Sequence, residues 1–100
     1  MDADAPTYRV YVIELDDSRR KGTDKPAVYV GQSAKAPEER FEQHLRGQRA
    51  WRVVRDHGVR LRPRLYRSYP AAATRKEAEA LERRLADRLR RRGSTVYRGH

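Results

Sequence analysis

Thr74-Arg-Lys-Glu77, followed by Ala78, Leu81, Leu85 and Leu89, is the stretch that most constrains this chain. The first four residues form a capping box, and the apolar ones recur at i, i+3, i+7 and i+11. A helix with one continuous apolar stripe is therefore predicted from there to just before Gly93. Such a stripe must be covered, and the material to cover it is scarce. Leu, Ile, Val and Phe supply 17 of the 100 residues, and Tyr and Trp raise the core-capable total to 24. With 38% charged residues this composition borders on that of disordered chains, so order has to be judged from pattern.

The pattern is orderly. Tyr8 to Leu15 is β-branched and aromatic with no Gly or Pro, which reads as a mostly buried strand. Asp16 to Pro26 is polar and turn-rich, and Ala27 to Val30 follows as a second apolar run, so an antiparallel hairpin is expected, with Gly31 ending its second strand. Pro37 suits a first helical turn, Glu38 and Glu39 complement its positive end, Phe41 and Leu45 pair at i, i+4, and Gly47 can stop a helix spanning 37 to 46. Gln48 to His57 places Ala50, Trp51 and Val54 on one face, with Gly58 as a left-handed stop, which predicts a second short helix. Val59, Leu61 and Leu65 alternate with Arg60, Arg62 and Arg64, the period of a strand with one core face and one cationic face, and Pro63 puts it at a sheet edge. Thr95-Val96-Tyr97 adds a short last strand. The expected class is α+β, with a small central antiparallel or mixed sheet of about three strands flanked by helices. One domain over 8–98 is expected, with 1–7 and 99–100 as tails and no separate recognition domain.

Charge adds the partner. The formal net charge is +10, and it is uneven: residues 1–39 carry 6 basic and 8 acidic groups, whereas 40–100 carry 18 and 6. A surplus of this kind faces a polyanion, although 20 of the 24 cations are Arg, a bias that a GC-rich genome also produces. No apolar run approaches the roughly 18 residues of a membrane span, and the acidic start is unlike a secretory leader, so a cytoplasmic protein is expected. The absence of cysteine excludes disulfides, thiolate zinc sites and a cysteine nucleophile. The three histidines have no metal-ligand spacing.

Five residues could carry chemistry. Tyr11 and Tyr29 occupy matching places in the hairpin, Arg40 and His44 share a helix face, and Glu82 borders the apolar stripe. Each has a plainer use: the tyrosines as core or cross-strand aromatics, Arg40 and His44 as a solvated face, and Glu82 as a partner for Arg75, Arg83 or Arg84. His57 and His100 read as loop and tail residues. Arg60, Arg62 and Arg64 on one strand face, with Arg84 and Arg88 in the crowded helix end, could contact backbone phosphates without reading sequence. Part of that helical cluster complements the helix's negative end. Tyr66 or Tyr69 could stack on bases, whereas Trp51 reads as core.

Arg9-Val10-Tyr11, Tyr29-Val30-Gly31, Arg40 within Pro-Glu-Glu-Arg-Phe-Glu-Gln-His and Glu82 within Glu-Ala-Leu-Glu-Arg-Arg-Leu together resemble the GIY-YIG nuclease superfamily, over roughly residues 8 to 98. Arg9 stands where the first motif usually has Gly, 17 residues separate the two tyrosines, a longer loop than in compact members, and Arg98 or Gly99 falls where many members carry an Asn. The resemblance implies an endonuclease that hydrolyses phosphodiester bonds, of DNA rather than RNA, with one divalent metal ion, Mg2+ or in its place Mn2+, held by Glu82 and waters. It further implies Tyr11 as general base, Tyr29 as its partner in orienting water, Arg40 on the scissile phosphate, and His44 as a second phosphate contact or proton relay. Specificity would come from DNA structure, self-association or a protein partner. The alternative is a non-catalytic nucleic-acid-binding module of the same fold, and a third is a basic RNA-associated protein with a coincidental likeness.

Overall fold

Two β-branched and aromatic runs form the centre of the molecule. The computed structural model describes residues 7–16, 22, 24–46 and 52–98. Strand β1 (Arg9–Leu15) pairs antiparallel with β2 (Val28–Ser33), in a register running from Arg9 opposite Ser33 to Glu14 opposite Val28. Val10 to Ile13 and Leu15 are all buried. Burial of successive strand residues means that both faces of the sheet are covered. Strand β3 (Gly58–Leu61) adds antiparallel to the other edge of β1, and β4 (Val96–Arg98) adds parallel to β2, giving the order β3-β1-β2-β4. The α+β class expected from sequence is the class observed, but the sheet has four strands, and β4 makes it mixed.

Helix α1 (Pro37–Leu45) follows β2, with Pro37 in its first turn and Glu38 and Glu39 at its positive end. Helix α2 (Arg52–His57) leads directly into β3. The expected first turn of α2, with Ala50 and Trp51, and the Gly47 stop of α1 lie outside the described residues, as do the outermost tail residues 1–6 and 99–100. Helix α3 (Arg75–Arg91) is capped as its sequence requires, the Thr74 hydroxyl accepting from the Glu77 N–H at 3.1 Å. It ends at Gly93, whose φ of +98° lets Gly93 N–H reach the Arg90 carbonyl and Ser94 N–H the Leu89 carbonyl. That reversal delivers the chain into β4. Ala78, Leu85, Ala86 and Leu89 bury the apolar stripe of α3 in the core. No helix among the described residues is long and apolar enough to cross a membrane.

Four local expectations are corrected. Strand β2 runs through Gly31 to Ser33, because Gly31 pairs with Tyr11 within the ladder. Strand β3 stops at Leu61, and Pro63, which cannot donate to a ladder, opens a 3-10 turn over Pro63–Leu65, so Arg62 and Arg64 are not strand residues. Gly58 is not left-handed; its value is space, since a Cβ there would lie 2.6 Å from the Val54 carbonyl oxygen. His57 is no loose loop residue: its Nδ1 is 2.9 Å from Asp16 Oδ2, which ties the end of α2 to the end of β1.

Candidate active site

Tyr11 and Tyr29 project from the same face of the hairpin, since Tyr11 is opposite Gly31 and Tyr29 opposite Ile13. Their rings lie 6.3 Å apart between centroids. Gly31 makes this approach possible. A Cβ at position 31 would sit 2.6 Å from the Tyr11 hydroxyl oxygen and 3.1 Å from a Tyr29 ring carbon, so any side chain would push the phenols off their places. His44, in the last turn of α1, closes the group: its Nε2 is 3.0 Å from the Tyr11 hydroxyl, and its ring meets Tyr29 edge-on at 5.6 Å.

These phenols form one wall of a cavity of about 150 Å³. Arg40 of α1 and Arg75, Glu79 and Glu82 of α3 complete it, together with Gly31 and Gln32 of β2. Arg75, Glu79 and Glu82 share a helix face by their i, i+4, i+7 spacing. Gln32, Arg40 and Arg75 also border a second groove that extends past Lys35 to Tyr8, so the cavity opens onto a track with cationic walls. The side chain of Glu82 is 1% exposed. Arg98 of β4 reaches it, with Nε at 3.0 Å and Nη2 at 2.9 Å from the same oxygen, Oε2, a partner other than the helical arginines considered from sequence.

Burial sets the protonation states. It pushes Tyr11 up to about 12 and Tyr29 higher still, the Arg40 cation opposing the rise in both. It pushes His44 down to about 4, and Arg40 acts in the same direction. Near neutral pH the site therefore holds two intact phenols and a neutral imidazole. His44 Nδ1 and Gln32 Oε1 are buried with no hydrogen-bond partner among the described residues. Left unmatched, groups of this kind cost about 1–3 kcal/mol each, which the fold tolerates in one small region.

The structure brings Tyr11, Tyr29, Arg40, His44 and Glu82 together around this cavity. It does not gather the expected phosphate-contacting arginines there. Arg60 and Arg62 both turn to Glu14, at 3.8 and 2.9 Å, rather than forming a cationic row, and Arg64 sits on the 3-10 turn. Arg84 and Arg88 are exposed on a flank of α3 turned away from Glu82. Tyr66 is buried and Tyr69 packs against the core, so neither phenol is a free stacking platform. Sequence reasoning named Arg75 only as a partner for Glu82, and passed over Glu79 and Gln32 as site residues. The helical spacing to Glu82 would have found Arg75 and Glu79.

No group of three or more His, Asp or Glu side chains gathers as a metal-ligand cluster among the described residues. A divalent cation at the cavity would rely on Glu82, with Glu79 on the same wall and water for the rest. That fits a hard ion such as Mg2+, which keeps most of its water shell and needs only one or two carboxylates. It does not fit Zn2+, which takes three or four protein ligands, usually including His or Cys.

A small α+β domain that sets phenols, a guanidinium and a buried carboxylate around one cavity is built to handle a phosphate ester. Comparison with family models is in accord: the model for the GIY-YIG catalytic domain matches residues 7–95, and the chain belongs to that family of nucleases. The coincidental likeness is thereby excluded. Comparisons with curated proteins and with solved structures gave no match.

Proposed function

We propose that this protein is an endonuclease hydrolysing phosphodiester bonds of nucleic acid, DNA in preference to RNA, with little sequence specificity of its own and with one divalent cation, Mg2+ or Mn2+, at Glu82. The observation that carries the reading is the Tyr11–His44 contact at the wall of the cavity that Arg40 and Glu82 share.

A phenol pushed up to about 12 is a poor base if it must ionise first. The His44 contact removes that requirement. Tyr11 donates its proton to His44 Nε2 as its oxygen accepts one from the attacking water, so no free phenolate has to form; His44, held down to about 4, carries that proton only until solvent removes it. Tyr29 orients that water, and the unmatched Oε1 of Gln32 offers it a second acceptor. Arg40 holds the scissile phosphate through its fork of donors, one of which it shares with Gln43 at 3.2 Å, and it gains in strength as charge accumulates on the phosphate oxygens. The cation, when bound, supplies charge neutralisation for the phosphate and the leaving oxygen. Arg75 and Lys35 line the groove along which the flanking backbone runs.

The test is cleavage of plasmid, single-stranded and branched DNA and of RNA with added Mg2+ or Mn2+, comparing wild type with Glu82→Gln and Tyr11→Phe. Loss of cleavage in both variants with circular dichroism unchanged supports the reading. Wild type that binds DNA yet leaves every substrate intact identifies instead a binding module of the same fold.

A further inference from the structure

We propose that Arg98 makes the Glu82 cation site conditional on substrate: the free protein binds a divalent ion weakly, and the site fills when a nucleic-acid phosphate enters the cavity. The inference rests on the assignment of Glu82 as cation ligand made above.

Arg98 gives both Nε and Nη2 to one carboxylate oxygen, at 3.0 and 2.9 Å, and that carboxylate is 1% exposed. Charge-assisted bonds of this kind, in a site so little exposed to water, are barely screened. The backbone that carries this guanidinium is fixed too, because Arg98 lies in the β4 ladder opposite Val30, one residue before Gly31 of the cavity wall. Arg40 and Arg75 line the cavity with the carboxylates of Glu79 and Glu82, Arg75 stands 4.0 Å from Glu79, and Arg98 reaches Glu82 from β4. Three guanidinium groups thus face two carboxylates. A divalent ion entering alone meets a carboxylate already neutralised and a surplus of positive charge. A phosphodiester anchored on Arg40 changes both terms, bringing a negative charge and oxygen ligands of the type that Mg2+ prefers. By linkage, the cation must strengthen nucleic-acid binding by the same factor by which nucleic acid strengthens cation binding.

The experiment measures Mn2+ binding by electron paramagnetic resonance, with and without a cleavage-resistant phosphorothioate oligonucleotide. For wild type, affinity for Mn2+ is expected to rise at least about tenfold when the oligonucleotide is present, the scale on which one nearby charge acts at a partly buried site. Arg98→Gln keeps an amide donor for Glu82 and removes the charge; it is expected to raise Mn2+ affinity of the free protein about tenfold and to shrink the effect of the oligonucleotide. Equal wild-type affinity with and without oligonucleotide overturns the inference, and that comparison needs no variant to fold. Arg98→Gln binding Mn2+ no more tightly than wild type overturns it too. Glu82→Gln separates this failure from failure of the site: if it binds Mn2+ as wild type does, Glu82 is not the ligand and the cation assignment itself falls.

Discussion

The cavity and the arginine-rich flank of α3 lie on the same helix and are both strongly charged, yet they are assembled in opposite ways. The polar groups of the cavity come from four elements, Tyr11 from β1, Tyr29 and Gln32 from β2, Arg40 from α1 and Arg75, Glu79 and Glu82 from α3, with His44 of α1 behind Tyr11 and Arg98 of β4 on Glu82. The flank is local, with exposed Arg84 and Arg88 one turn apart on one helix. Burying polar groups is costly unless they are matched, so a region that collects several of them across the whole fold is the stronger candidate for chemistry. Exposed arginines carry no such penalty. They give attraction, and attraction alone does not define a site.

This contrast can be broken experimentally. The largest effect is expected from Arg40→Ala, which should reduce the rate of cleavage by about 10³-fold, as removal of a transition-state donor does. A reduction of similar size from Arg84→Ala would erase the distinction between the regions. Tyr11→Phe should cost about 10²-fold or more in rate with little change in melting temperature, because the ring stays and the proton path is lost. Full activity in that variant removes Tyr11 from the reaction. Gly31→Ala tests the packing on which the phenols depend. It is expected to destabilise by about 1–3 kcal/mol in denaturant titration, through the forced shift of Tyr11, and to lower activity as well.

Smaller effects sharpen the comparison. His44 titrates at about 4 in the folded chain against an ordinary 6.5, so as pH falls the unfolded chain takes up its proton first. Stability contributed by neutral His44 is therefore complete above pH 6.5 and is lost progressively down to pH 4, by about 3 kcal/mol in all. Melting curves of wild type and His44→Gln should differ in slope over that window and run parallel above it; parallel curves throughout would place His44 in a wetter setting. On the flank, Arg88→Ala should weaken DNA binding only a few-fold and lower the salt dependence of log K by about one.

Much of this was legible in the sequence because its carriers were local. The Thr74 cap and the stripe from Ala78 to Leu89 predicted α3, and the motif residues around Tyr11, Tyr29, Arg40 and Glu82 were visible in order along the chain. What misled was also local. The alternation from Val59 to Leu65 has the period of a strand, but Pro63 breaks the ladder and Glu14 draws Arg60 and Arg62 toward itself. Glu82 looked like a border residue of an amphipathic helix because its partner, Arg98, is sixteen positions away on a strand whose parallel pairing with β2 no short-range pattern encodes. The role of Gly31 was hidden for the same reason, since the ring it makes room for comes from the opposite strand.

The parallel pairing of β2 with β4 also sets an order of events during folding. Val28 and Val96 are register partners although 68 positions part them, so this edge of the sheet closes through the longest loop in the fold and should be among the late contacts to form. The hairpin and the Tyr11–His44 contact close over shorter stretches of chain than those that bring Glu82 and Arg98 to them. Until α3 and β4 dock, the phenols face water without their carboxylate. The residues around the cavity thus meet only when this edge of the sheet closes.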